Sequence, residues 1–193
     1  MNIHDISEIL TNQKVSLRQN ERDAMIRCAT KEDFLGLARM LERAYFSTHK
    51  TFFKDRKARR SRIRSVAQQL LRPRSKFLVI ETEGSLCASN YFRFGRNYRI
   101  FSSNGAVTSQ GRDFDSRLVM RLAEHFISCC QMAGWPELHF FATFENERAV
   151  QIFAAYFSRK KNILTKVSKP QLTVLERMFF GNFKHYLHMQ FAR

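Results

Sequence analysis

The chain has 193 residues, 44% apolar and 13% aromatic, which is enough apolar material for a real core and excludes a disordered chain. Lys and Arg number 33 against 17 Asp and Glu, a formal charge of +16, so the surface attracts something acidic. The apolar run Phe77–Ile80 stops at Glu81, far short of a bilayer span, and MNIHDISEIL has no basic region ahead of an apolar one, unlike a secretion signal.

In chain order, residues 1–22 read as an arm with a short amphipathic helix, and residues 23–193 as one domain. MIRCA (Met25 to Ala29) alternates as a strand, and Thr30-Lys31-Glu32-Asp33 is a capping box. Phe34, Leu37, Ala38, Leu41 and Tyr45 then recur at helical spacing. A basic helix follows, with Ile63, Val66 and Leu70 as its apolar stripe, and Arg72-Pro73 ends it. KFLVIETEG and SLCASNYFRF form a hairpin around Gly84, and RIFSSNGAV is the next strand. Leu118, Val119, Leu122, Phe126, Ile127 and Cys130 mark one face of a long helix, closed by Gly134-Trp135-Pro136. LHFFATF is a strand and NERAVQIFAAYF a helix. The aromatic FKHYLHMQF reads as an edge strand paired with a segment near residues 162–175. The expected fold is α/β: a mixed central sheet flanked by helices.

The charge is concentrated. Lys54 to Lys76 holds ten basic residues and one acid. A solvated helix face accounts for part of this, and an acidic partner, either nucleic acid or an acidic protein, for the rest. The four cysteines, Cys28, Cys87, Cys129 and Cys130, have no CxxC spacing and read as reduced thiols in a cytoplasm. His185 and His188 alternate across one strand, so no metal site is expected.

Three strings in order carry a resemblance: MIRCATKEDFLGLARMLERAYF, NGAVTSQGRDFDSRLVMRLAEHF and FENERAVQIFAAYF. Together they resemble the opening strand and helix, the acyl-CoA loop and the Asn-x-x-Ala segment of the GNAT superfamily, the acyl-CoA-dependent N-acyltransferases. The resemblance covers residues 24–193. It implies transfer of an acyl group from a pantetheine thioester, acyl-CoA or acyl-phosphopantetheine on a carrier protein, to an amine acceptor. It also implies donor contacts from Ala106 and Val107 and from the loop residues Gln110, Gly111, Arg112, Asp113, Phe114, Asp115 and Ser116. Asn146, Ala149 and Phe153 would follow along the pantetheine arm. A backbone N–H near Val107 would polarise the thioester carbonyl.

The sequence departs from that pattern at two places. Asp113 and Asp115 stand where the family has glycines, and a carboxylate repels pyrophosphate. Carrier-bound pantetheine has a single phosphodiester and an acidic carrier, which suits both the loop and the charge. Phe153 stands where many relatives have a proton-donating Tyr; Tyr156, His139 and Ser103 are the candidate catalytic groups. Glu81 and Glu83 share a strand face near the expected acceptor pocket. Two other functions stay open: a GNAT-fold binding module without catalysis, and a basic nucleic-acid- or ribosome-associated protein. A homodimer through the aromatic C-terminal strand is a further expectation.

Overall fold

The structure, a computed structural model, describes residues 3–19, 22–40, 56–72, 74–95, 97–107, 117–142, 154–160, 163–168 and 185–191. The elements are α1 (Ile3–Asn12), β1 (Val15–Gln19), β2 (Arg22–Cys28), a 3₁₀ turn (Lys31–Asp33) running into α2 (34–40), and α3 (Arg56–Leu71). Then come β3 (Ser75–Thr82), β4 (Ser85–Phe94), β5 (Arg99–Val107), α4 (Arg117–Met132), β6 (Glu137–Ala142), α5 (154–158), β7 (Ile163–Ser168) and β8 (His185–Phe191). The strands form one sheet in the order β1-β2-β3-β4-β5-β6-β8-β7. Its pairs are antiparallel except β5–β6, which is parallel. The fold is thus the expected mixed α/β sheet with helices on its faces.

Alternation along the central strands explains the layers. Leu78 and Ile80 of β3 point to one face, where they join Ile6 and Leu10 of α1, Leu122 and Phe126 of α4, and Phe157 of α5. Phe77 and Val79 point to the other, where they meet Leu37 and Met40 of α2 and Val66 of α3. A strand buried on both faces needs a continuous apolar run, which is why Phe77–Ile80 has no polar residue. Across the larger core the Phe92 and Phe126 rings stack 4.1 Å apart, tying β4 to α4.

Turn chemistry fixes the connections. Glu83 and Gly84 both have positive φ, 51° and 73°, as a two-residue turn between twisted antiparallel strands requires. Helix α4 ends at Gly134, whose φ of 70° reverses the chain. The Trp135 N–H then donates to the Cys130 carbonyl at 3.0 Å, a Schellman closure.

Two elements differ from the sequence expectation. Residues 15–19, within the stretch read as an arm, form β1 and pair with β2 from Val15↔Ile26 to Gln19↔Arg22. Nearby, Ile6 and Leu10 are fully buried in the main core. Strand β8 is not an edge: it lies between β6 and β7 and is hydrogen-bonded to both. Both sides of its backbone are taken, so it offers no ladder to a partner's strand, and β1 and β7 are the edges.

Candidate active site around the β5 bulge

The string IRCATKED folds around one arginine. Arg27 spreads its guanidinium between Asp33, at 2.6 and 2.8 Å, and Glu81, at 2.7 Å, joining β2, the 3₁₀ turn and β3. The Thr30 N–H donates to Asp33 Oδ2 at 2.7 Å, which closes the capping box. The Asp33 carboxyl is held below its usual range, chiefly by the Arg27 hydrogen bond. Glu81 is therefore one arm of an ion triad. Glu83 lies in the hairpin turn.

Strand β5 carries the feature of interest. Ser103 pairs with Tyr91 and Ala106 with Ser89, so Asn104 and Gly105 together oppose the single residue Asn90. Such a bulge bends the strand and takes backbone groups out of the ladder. The parallel pairing with β6 runs from Arg99↔His139 to Ser102↔Ala142, and β5 continues to Val107. The bulge therefore follows directly on the last described β5–β6 pair.

On β4, Ser89 and Tyr91 flank the bulge in register, Tyr91 packing its ring on Phe77, and their buried Oγ and OH have no hydrogen-bond partner among the described residues. A buried hydroxyl left unpaired costs about 1–3 kcal/mol, so both atoms favour a polar ligand group beside them. Hydroxyls without a partner among the described residues, beside a strand irregularity, are polar chemistry that would suit the amide-rich arm of a pantetheine thioester. Sequence reasoning missed Ser89 and Tyr91, because only the register of β4 on β5 brings them to the bulge.

Of the sequence-predicted site residues, Ser103, Ala106 and Val107 lie on β5 at and beyond the bulge, Val107 opposite Ala88. Gln110, Gly111, Arg112, Asp113, Phe114, Asp115, Ser116, Asn146, Ala149 and Phe153 lie outside the described residues. Tyr156 on α5 donates its phenol proton to Glu124 of α4, which also accepts from Lys160 at 2.9 Å. Its hydroxyl is thus engaged inside a Glu–Tyr–Lys cluster, and Lys160 sits 4.9 Å over its ring. His139 faces Arg99 at the start of β5, roughly 13 Å along the strand from Ser103 at ~3.3 Å per residue. The fold does not bring His139 and Ser103 together.

His139 instead belongs to a second cluster. Its Nε2 lies 3.2 Å from Glu137 Oε1, and His188 Nε2 of β8 lies 2.8 Å from Glu137 Oε2. The two imidazoles stack at 4.6 Å. Burial lowers the His139 pKa, and the His188 hydrogen bond is the main cause of a lowered Glu137 pKa. Burial also pushes the Cys28 thiol up to about 11 and Cys129 to about 12, so neither is a ready nucleophile.

No protein-family profile matches the sequence, and no curated protein matches it. Solved structures do match in shape. A PaiA N-acetyltransferase from Thermoplasma acidophilum, in complex with coenzyme A, superposes with a TM-score of 0.59 at 11% identity, over 88% of this chain and 99% of its own. A GNAT-family acetyltransferase from Staphylococcus aureus gives 0.55 at 11% identity, over 86% and 97%. N-acetylglutamate synthase from Neisseria gonorrhoeae, complexed with coenzyme A and N-acetyl-glutamate, gives 0.54 at 18% identity; the match spans 88% of this chain and 35% of the synthase. The element order, the parallel β5–β6 pair and these superpositions agree: the chain has the fold of the GNAT acetyltransferases.

Proposed function

We propose that this protein is an N-acyltransferase that moves an acyl group from a pantetheine thioester to an amine. The observation that carries the reading is the β5 bulge, set at the end of the described parallel β5–β6 pair and flanked in register by Ser89 and Tyr91, whose buried hydroxyls have no partner among the described residues. Backbone N–H groups around Asn104–Val107 would receive the negative charge that develops on the thioester oxygen when the amine attacks. The carbon–nitrogen bond forms, the carbon–sulfur bond breaks, and the proton shed by the amine ends on the departing thiolate or in water. With Tyr156 bonded to Glu124, this chemistry rests mainly on positioning and oxyanion stabilisation.

The donor's carrier is a finer part of the same proposal. Asp113 and Asp115 would weaken a pyrophosphate grip, whereas a carrier protein's single phosphodiester asks less of the loop. The ten basic residues between Lys54 and Lys76 suit an acidic carrier, and exposed Arg64, Arg72 and Arg74 belong to that set.

Amine-dependent thiol release is the test, with acetyl- to palmitoyl-CoA and the same chains on acyl carrier protein as donors, against a panel of amino acids, polyamines and peptide N-termini. Release with any donor supports the reading. Donor binding without release across the panel favours the non-catalytic module, and steeply salt-dependent RNA binding with no donor binding favours the nucleic-acid reading. Replacing both Asp113 and Asp115 by Gly is expected to tighten CoA binding roughly three- to tenfold, with little change toward carrier-bound donors.

A further inference from the structure

We propose that Glu137, His139 and His188 form a binding site for one divalent transition-metal ion of the zinc class, which clips β8 to β6. Each residue offers a ligand atom, and the three atoms all lie within 4.8 Å of one another. Two imidazoles and one carboxylate are a donor set that suits zinc and its neighbours in the first row.

The sheet builds this cluster from two strands. Glu137 and His139 are two apart on β6 and so share a face, while Leu138 and Phe140 between and beyond them enter the core. His139 and His188 are directly opposed in the β6–β8 ladder, and Met189 beside His188 points to the core side. All three ligand side chains thus project from the same surface of the sheet. Their exposures of 31%, 23% and 24% leave a path for an ion and for the waters that would complete its shell.

The spacing is close to what an ion needs. Ligands about 2.0–2.1 Å from a tetrahedral zinc stand about 3.4 Å apart. The two Glu137–imidazole contacts, 3.2 and 2.8 Å, already approach that separation, and the stacked rings, 4.6 Å apart, would have to tilt toward each other to close on the ion. Arg99 lies opposite His139 on β5, so the ligands must hold the ion against some like charge. The cluster sits at the start of β6, level with Arg99, roughly 17–20 Å along the sheet from the Asn104–Gly105 bulge by strand rise, so the ion is structural and takes no part in acyl transfer.

Titration of chelator-treated protein with zinc chloride tests this by calorimetry and by ¹⁵N spectra of the histidine rings. The expected result is one ion per chain, with the His139 and His188 rings shifting together at one equivalent and the other four of the six histidines unmoved. His188→Asn and Glu137→Gln should each weaken binding at least roughly tenfold, while Cys87→Ser leaves it unchanged. If a variant fails to fold, the ring spectra of the wild-type protein decide alone. No ring shift at His139 and His188 at one equivalent, or binding that survives both ligand substitutions, overturns the proposal.

Discussion

Arg27 locks the first half of the domain, because one guanidinium ties β2 to the start of α2 and to β3. Removing it strands Asp33 and Glu81, whose side chains are only 11% and 25% exposed. Arg27→Met is expected to cost roughly 3 kcal/mol in urea unfolding at neutral pH. The pH dependence has a definite sign. Asp33 is more acidic folded than unfolded, so its contribution is fully present above the ordinary aspartate range and is lost as pH falls through its folded pKa. Wild-type stability should therefore fall with acid more steeply than that of Arg27→Met; parallel curves between pH 6 and 2 would show that the triad contributes nothing. Glu83 is the other residue-scale case. It occupies a left-handed turn position that Asn or Gly fills with less strain, so Glu83→Asn should stabilise the protein by about 0.5–1 kcal/mol in the same assay.

At the scale of elements, α4 connects sequence pattern to packing most plainly. Its apolar positions Leu118, Leu122, Phe126, Ile127 and Cys130 are buried as their spacing predicts, and Gly134 closes it in the left-handed region. Gly134→Ala should cost about 1 kcal/mol of thermal stability through that φ alone, with no change in the content of helix. The elements were legible because each carried local chemistry: a capping box at Thr30, a Gly84 turn, a Pro73 stop. Strand β1 was not, since VSLRQ is short, half polar and meaningful only once β2 lies beside it. The interior position of β8 was hidden for the same reason: strand order is a non-local fact. Site residues divide along this line. The resemblance put Ala106 and Val107 on a strand, and both lie on β5. The Ser89–Tyr91 pair, the Glu124–Tyr156 bond and the His139–His188 cluster depend on register or helix docking that no spacing encodes. Glu137-x-His139 was the one local hint, two ligand types on one strand face.

For the whole molecule, topology and charge point the same way. Under the proposed function, the one parallel pair among the described strands, with a bulge beside it, would supply a place for an acyl donor's arm, and a +16 chain would favour anionic donors over neutral ones. No helix among the described residues is long and apolar enough to cross a membrane. The proposed function makes the β5 bulge a pantetheine thioester site. Thermal unfolding with acetyl- to palmitoyl-CoA and with acyl carrier protein tests it most directly. A ligand at about a hundredfold over its Kd adds about 2.7 kcal/mol, which for a domain of this size raises Tm by roughly 5–10 °C. Such a rise is expected with at least one thioester, and a smaller one in Ser89→Val and Tyr91→Phe. Unchanged melting with every pantetheine thioester, free or carrier-bound, would contradict it.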